Sequence, residues 1–324
     1  MRSLALLYQT GKKDWSTDNE CVPTVRTEHA TATLLDALRK GVAIPELEGS
    51  YMGMCREVAT MPLRSPDQVI EAVADWWALG EMATELGHTD DAARFYQRGE
   101  TLFDSIWPSE FMKIDPSFVR MKRNGLYQGT RWQYRWAAPQ YLDRMMELHG
   151  RDTLLAELTE FFDKHLYNQG NEPDIHVPFL FGRLGDASRT APIVHDMMLR
   201  PVEHIYGGNA EYPEPYVGRA FINQPRGYCP EMDEDDGTMS AWYVFGAMGL
   251  YPLIVGQPEY ELFSPAFDRI VHTTAPGKQI VISTRGRKSL DQPVKRIMLD
   301  GRRLRDFRIT HKQLLEGTQL VFVY

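Results

Sequence analysis

The chain has 324 residues, 43% of them hydrophobic, which is the composition of a folded protein with a sizeable core. Its 36 basic and 44 acidic residues give a net charge of -8 and form no basic stripe, so a nucleic-acid partner is not expected. The N-terminal apolar stretch is only about five residues long, too short for a signal-peptide core or a membrane span. We therefore expect no export signal in this chain and no membrane partner.

The three cysteines, Cys21, Cys55 and Cys229, are too few and too widely spaced to indicate a zinc site or a disulfide framework. The compartment in which the protein works cannot be read from them.

Helical patterns dominate residues 15 to 250. Ser65 is a suitable N-cap and Pro66 a suitable first residue for a helix that Gly87 ends, and a second helix begins at Thr89 or Asp90. These two helices predict a helical hairpin. Similar helical material occurs at 28–40, 139–168, 187–206 and 237–250.

The helical region shows no repeat of fixed period, which argues against a solenoid. Helical hairpins can instead close into an (α/α)6 toroid, whose loops converge at one end and line a pocket. A six-hairpin ring needs about twelve helices, and this chain has room for about eight or nine. The sequence leaves open whether the ring is complete.

After Pro252, apolar and polar residues alternate in short segments separated by Gly and Pro, which predicts a small antiparallel β-rich unit. Asp300-Gly301 is a two-residue hairpin signal within it. We place a helical region at residues 1–255 and the β-rich C-terminal unit at residues 256–324. No low-complexity linker separates them, so we expect the two parts to pack on one another.

Four segments between helices have compositions that packing does not require, and each is a candidate active-site loop. They are residues 126–136, 168–181, 206–218 and the acidic stretch 229–237.

The acidic stretch places Asp233, Glu234, Asp235 and Asp236 directly before a helix that starts near Gly237. One interpretation is that these acids cap the helix and complement its positive end. Capping needs one acid, however, and leaves the others unexplained. The alternative is a pair of carboxylates that activate water.

Asn171 and Glu172 place an amide oxygen beside a carboxylate, and Pro173 fixes the backbone after them. Hard oxygen ligands of this kind suit Ca²⁺. The alternative is an ordinary Asn-Glu-Pro turn. His176, which follows, is either a site residue or a satisfied structural histidine.

These segments together resemble the catalytic domain of glycoside hydrolase family 92, the calcium-dependent, inverting α-mannosidases. The resemblance runs from about residue 19 to the C-terminus. It rests on VIEAVADWWALGEMATELG (69–87), GTRWQYRWAAP (129–139), GNEPDIHVPFLF (170–181) and the segment 233–271 that begins DEDDGTMSAWYVF.

The resemblance implies roles for particular residues. Asp233 and Asp235 match the aspartates that activate water in the family, and Asn171 and Glu172 match the turn near which calcium binds. The substrate would be a mannose-containing glycan. We rank four further residues as substrate-binding candidates, each with a structural role as its alternative: Trp132, Trp136, His176 and Glu234.

Gln128 occupies the position at which the family motif has a glutamate that protonates the leaving oxygen. An amide cannot donate that proton. The resemblance implies a hydrolase, which is either an ordinary α-mannosidase or an enzyme that cleaves a mannosyl phosphodiester such as mannose-1-phospho-6-mannose, as glutamine-containing members of the family do. The alternative is a carbohydrate-binding relic that has lost activity.

Length is a second departure from the family, whose catalytic proteins are about twice as long and begin with a β-sandwich domain. We therefore expect this chain to be a truncated form, with an upstream segment or that β-sandwich domain as its missing partner. Most members of the family act outside the cytoplasm, but the compartment of this chain is not indicated.

Overall fold

The structure is a computed structural model that describes residues 1–11, 29–114, 125–204, 216–230, 232, 234, 237–274 and 277–324. By their contacts the residues of the chain fall into two compact units. Unit 1 consists of Met1–Lys113, Gln140–Leu142 and Ile254–Pro258, and unit 2 consists of Ile114–Pro139, Asp143–Leu253 and Glu259–Tyr324.

Unit 1 is helical, and its central hairpin is the predicted one. The helix α4 has Ser65 as its N-cap and Pro66 in its first turn, and it ends at Gly87 in the left-handed conformation. The next helix starts at Thr89, as predicted. The first helix, α1, lies outside the predicted helical range. The helices are α1 (Arg2–Thr10), α2 (Ala30–Arg39), α3 (Leu47–Thr60), α4 (Pro66–Leu86) and α5 (Thr89–Ile106), followed by a π-helical turn at Trp107–Phe111.

The helices that follow have 4 to 13 residues, and three 3₁₀ helices lie among them in the described part of the chain. They are α6 (Arg131–Tyr134), α7 (Leu142–His149), α8 (Arg151–Asp163), α9 (Phe181–Leu184), α10 (Thr190–Leu199) and α11 (Thr238–Met248), with 3₁₀ helices at Pro139–Tyr141, Glu172–Asp174 and Val177–Leu180. None of the described helices combines the length and the apolar composition that a membrane crossing requires.

One helix is shorter than predicted. The helical material expected at 187–206 ends at Leu199, two residues before Pro201. Proline disfavours the helical conformation of the residue before it, and Arg200 is extended. The chain continues as strand β1 (Val202–His204), which pairs with β2 (Tyr216–Gly218) in an antiparallel ribbon.

The C-terminal segment is β-rich, as predicted, and forms two sheets with the orders β5-β6-β10-β7-β8 and β3-β4-β9. One detail of the prediction was wrong, because β10 pairs with β6 in parallel and the larger sheet is therefore mixed. The elements are β3 (Leu250–Tyr251), β4 (Glu259–Leu262), β5 (Arg269–Thr273), β6 (Gln279–Arg285), β7 (Arg296–Leu299), β8 (Arg302–Arg303), β9 (Arg308–Thr310), helix α12 (His311–Glu316) and β10 (Gln319–Val323).

The predicted hairpin at Asp300-Gly301 joins β7 to β8. Asp300 has φ 47° and Gly301 has φ 80°, so both central residues of the turn are left-handed. This is the backbone that a two-residue type I′ hairpin requires and that Asp-Gly adopts readily.

Within unit 2, the helical part packs directly on the β-rich part. Arg183 of α9 pairs with Glu259 and Glu261 of β4, and His195 of α10 contacts the Ser264 carbonyl oxygen at 3.1 Å. The change from helices to strands occurs at β3. The division at residue 255 stays a prediction as a domain boundary.

Candidate active site

The loop that holds Gln128 is fixed by a buried capping box. Gly129 has φ 76°, in the left-handed region that favours glycine. Thr130 then caps α6: its N–H donates to Gln133 Oε1 at 2.6 Å, and its Oγ1 accepts from the Gln133 N–H at 3.3 Å. Gln133 Nε2 also donates to the Leu166 carbonyl at 3.3 Å, which ties the loop to the end of the next hairpin.

The turn that holds Asn171 and Glu172 is closed by its own side chains. Asn171 Oδ1 accepts from the Glu172 N–H at 2.8 Å and starts the 3₁₀ helix. Asn168 donates its N–H to Asp174 Oδ2 at 2.9 Å, and its own Oδ1 accepts from the Gly170 N–H at 2.8 Å. Asn171 is buried and Glu172 is exposed to solvent. The turn therefore presents one carboxylate outward from a rigid base.

The two segments meet at Gln128. Asn171 Nδ2 donates to Gln128 Oε1 at 3.3 Å. A Cβ atom at Gly129 would lie 3.3 Å from the Pro173 ring and 2.8 Å from Gln133 Oε1, so the loops pack too closely for a side chain there. The residue predicted at the acid position and the residue predicted at the metal position are thus direct neighbours.

His176 is joined to Trp136, and both predicted tryptophans are buried. His176 Nε2 donates to the Trp136 carbonyl at 2.7 Å, and burial lowers the pKa of His176, which favours the neutral imidazole. The Arg135 guanidinium lies over the Trp136 ring, 5.4 Å from its centroid. Trp136 is 1% exposed and Trp132 is 6% exposed. Both rings are packed in the core, and their contact with substrate stays a prediction.

The acidic stretch is described only in part: Asp233 and Asp235 lie outside the described residues, and Glu234 lies within them. The Glu234 carboxylate accepts the Ser240 N–H at 3.1 Å and the Ser240 hydroxyl at 2.8 Å. Glu234 therefore caps α11, which is the role that the capping interpretation assigns to one acid of the stretch. Its predicted contact with substrate stays a prediction.

The start of α11 is joined to the turn at 168–176. Trp242 Nε1 donates to the Ile175 carbonyl at 2.8 Å, and Gln169 Nε2 lies 3.8 Å from Met239 Sδ. Hydrogen bonds therefore link the loop before α6, the 168–176 turn and the first turns of α11. All the predicted site residues that the structure describes lie in or next to these three segments.

Buried polar residues that the sequence reasoning missed support the turn. Asp174 is fully buried, and burial raises its pKa well above the usual range. Burial also raises the pKa of Tyr167, whose hydroxyl donates to Gln169 Oε1 at 2.5 Å. The sequence signal that could have revealed them is the polar run 167–174, which stands directly before an apolar segment. Polar residues next to a core segment are often buried, and buried polar groups need hydrogen-bond partners within the fold.

The donor types at the turn fit calcium in part. Asn171 Oδ1 accepts one hydrogen bond and has a second lone pair, and the exposed carboxylate of Glu172 is a hard ligand. Calcium takes about six to eight oxygen ligands. In the described part of the chain, no group of three or more His, Cys, Asp and Glu side chains could hold a metal ion. A calcium ion here would need further oxygens.

Comparison with protein families gives one match. The sequence model described as the glycosyl hydrolase family 92 catalytic domain matches residues 57–208 and 209–324. No match was found among curated proteins.

Solved structures similar to this chain include the GH92 family glycosyl hydrolase ccman5, at 24% identity and a TM-score of 0.84 over 99% of this chain and 49% of that one. A family GH92 α-mannosidase from Bacteroides thetaiotaomicron, in complex with mannoimidazole, is 19% identical, with a TM-score of 0.75 over 91% of this chain and 43% of that one. A family GH92 inverting mannosidase from strain VPI-5482 of the same species is 20% identical, with a TM-score of 0.70 over 91% of this chain and 45% of that one. These likenesses establish the fold, and the chain spans about half the length of the solved structures it matches.

Proposed function

Because the chain belongs to glycosyl hydrolase family 92, we propose that it hydrolyses terminal α-mannosyl residues of glycans with inversion at the anomeric carbon. In this proposal the carboxylates of Asp233 and Asp235 take a proton from water. The water oxygen then forms a bond to the anomeric carbon while the bond to the leaving oxygen breaks.

The observation that supports a specific substrate is the contact between Gln128 and Asn171. Gln128 Oε1 lies 3.3 Å from Nδ2 of Asn171, a proposed calcium ligand, and in this proposal the Gln128 amide occupies the position at which an ordinary glycosidase needs an acid. An alkoxide leaving group needs a proton, whereas a phosphate monoester leaves as a stable anion with the electron pair of the broken bond. We therefore propose a mannosyl phosphodiester such as mannose-1-phospho-6-mannose as the substrate, with mannose and mannose 6-phosphate as products.

Asn171 and Glu172 are the residues that would contribute to a calcium site. When bound, the cation supplies a positive charge that can orient sugar hydroxyls and favour a flattened ring. The hydrogen bond from Asn171 to Gln128 supports a shared location for the cation and the scissile bond.

The test is to incubate the protein with a mannose-1-phospho-6-mannose glycan and with an α-1,2-mannobiose, each with and without a chelator. We expect mannose release from the phosphodiester alone, lost with chelator and in Asp233→Asn and Asp235→Asn. Equal release from both substrates would contradict the role of Gln128, because another group would then be the acid.

A glycan-binding protein without hydrolysis is the second candidate. It is favoured by the coverage of the solved structures, since this chain corresponds to only 43 to 49% of three of them. Binding of both glycans by calorimetry, without release from either, would identify this function and exclude the first.

A further inference from the structure

Unit 2 contains a cavity of about 610 Å³ that shares no residue with the candidate active site. It lies between the α9–α10 turn and the loops of the β-rich part. Pockets of roughly 300 to 1,000 Å³ are typical of small-molecule sites. The side chains that matter for its chemistry are Arg183, Asp186, Glu261, Asp291, Arg305 and Phe307.

One carboxylate oxygen of Glu261, Oε2, is an open hydrogen-bond acceptor at the wall of this cavity. The residue is 4% exposed, and its Oε1 accepts from Arg183 Nε at 2.5 Å. Its Oε2 accepts no hydrogen bond from any residue that the structure describes and lies 3.4 Å from the place of a Cβ atom at Gly182, which also lines the cavity. Because no described side chain donates to Oε2, this oxygen is free to accept a hydrogen bond from a molecule in the cavity.

The charged groups around Glu261 are held in place by other contacts. Arg183 also pairs with Glu259. Asp291 accepts from Arg200 Nη2 at 2.6 Å. Side chains that are fixed before binding lose little conformational entropy when a ligand arrives. The cavity is therefore preorganised for polar recognition.

The balance of charge selects the kind of ligand. Five carboxylates line the cavity against three guanidinium groups, which disfavours an anion: Asp143, Asp186, Glu261, Asp291 and Asp306 against Arg183, Arg305 and Arg308. Hydroxyl groups can both donate to the carboxylates and accept from the guanidinium groups. The partly exposed ring of Phe307 adds an apolar face of the kind that sugar C–H groups contact.

We propose that this cavity is a second saccharide-binding site, in which a sugar hydroxyl donates to Oε2 of Glu261. The proposal goes beyond the proposed function, because it uses none of the residues of the candidate active site. A second site of this kind would bind a saccharide without taking part in the cleavage step.

The test is an NMR titration that monitors the Arg183 side chain, the hydrogen-bond partner of Glu261. In ¹⁵N-labelled protein, the Arg183 Nε–H signal is assigned with the Arg183→Lys variant, and mannose or α-1,2-mannobiose is titrated up to its solubility. We expect a saturable shift of this signal. Gly182→Leu, whose side chain would enter the cavity beside Oε2, should weaken the affinity about tenfold or more.

Two further variants separate the outcomes. Glu261→Gln keeps the shape of the side chain and should also weaken binding, with urea unfolding used to verify that both cavity variants are folded. Asn171→Ala, at the candidate active site, should leave the Arg183 shift unchanged even if the proposed hydrolysis is absent. No shift with either sugar, a shift that Gly182→Leu leaves intact, or a response only to an organic cation such as choline would overturn the proposal.

Discussion

Gln128 is the residue on which the proposal of a phosphodiester substrate depends. Its Oε1 is held by Asn171 Nδ2 at 3.3 Å, so a glutamate there would keep the acceptor and gain an ionisable proton. We predict that Gln128→Glu raises kcat/KM on α-1,2-mannobiose by about 10² to 10⁴-fold, the usual effect of general acid catalysis. On the phosphodiester we expect no gain, because a second negative charge would repel the phosphate.

The matched control is Gln68→Glu in α4. Gln68 Oε1 accepts the Arg64 N–H at 2.9 Å, which a carboxylate oxygen can also accept. The variant therefore changes the charge by the same amount and should leave both rates unchanged. A mannobiose rate that Gln128→Glu does not alter would place the acid elsewhere.

His204 is a residue that makes stability depend on pH. It is 1% exposed, and burial lowers its pKa to about 4 from its ordinary value of 6.5. Below pH 6.5, His204 binds a proton in the unfolded chain but stays neutral in the folded chain. The free energy of unfolding therefore decreases as the pH falls towards 4. The difference of 2.5 pKa units corresponds to about 3 kcal/mol.

The pH effect is measured by urea unfolding of wild type and His204→Phe between pH 8 and pH 4. The free-energy difference between the two proteins should be constant above about pH 7 and should shift in favour of the variant below it. Parallel curves for the two proteins would show that His204 is protonated as easily in the folded chain as in the unfolded one.

At single positions, the sequence indicated residue types better than it indicated contacts. The oxygen donors at Asn171 and Glu172 are visible in the sequence, but their proximity to Gln128 bridges 43 positions and depends on the fold. Glu234 shows a more local case, because its contact with Ser240 spans only six positions and the acidic stretch before α11 already indicated a capping acid. Thr130 and Gln133 have the spacing of a capping box, but the burial of Gln133 and its bond to the Leu166 carbonyl depend on the fold.

Two capping boxes with the same Thr-x-x-Gln pattern allow a test at the level of secondary structure. In the box at α6, Thr130 and Gln133 are 4% and 1% exposed, and Gln133 also bonds the Leu166 carbonyl. In the box at α12, Thr310 is exposed and bonds Gln313 in the same way. We predict that Gln133→Leu lowers the free energy of unfolding by about 2 to 4 kcal/mol, because buried groups lose their partners.

The control is Gln313→Leu, for which we expect a loss of about 1 kcal/mol or less, because water replaces the lost bonds. Urea unfolding of both variants at one pH gives the comparison. Equal losses would mean that burial adds nothing to the α6 box and that the Gln128 loop is positioned by other contacts.

Secondary structure was predictable where the signals are local. Ser65-Pro66 and Gly87 bound α4, and Asp300-Gly301 forms its turn, because caps and turns depend on adjacent residues. Pro201 was an available stop signal that the predicted helix at 187–206 overran. The parallel pairing of β10 with β6 could not be predicted, since alternation of residues gives a strand its faces but not its neighbours.

At the scale of the molecule, calcium would couple the site to the stability of the fold. An ion that binds only the folded protein stabilises it by about 2.7 kcal/mol at a concentration of one hundred times its Kd. We predict that Ca²⁺ raises the free energy of unfolding of the wild type by such an amount and that a chelator reverses the gain. Asn171→Ala and Glu172→Gln should abolish this gain in the free energy of unfolding, since they remove the proposed ligands.

The control is Glu147→Gln, which removes an exposed carboxylate from α7 and should retain the full gain. A gain of equal size in all three variants would place any calcium ion away from the turn, and then the link between Gln128, the cation and the scissile bond would fail even if the chain hydrolyses mannosides.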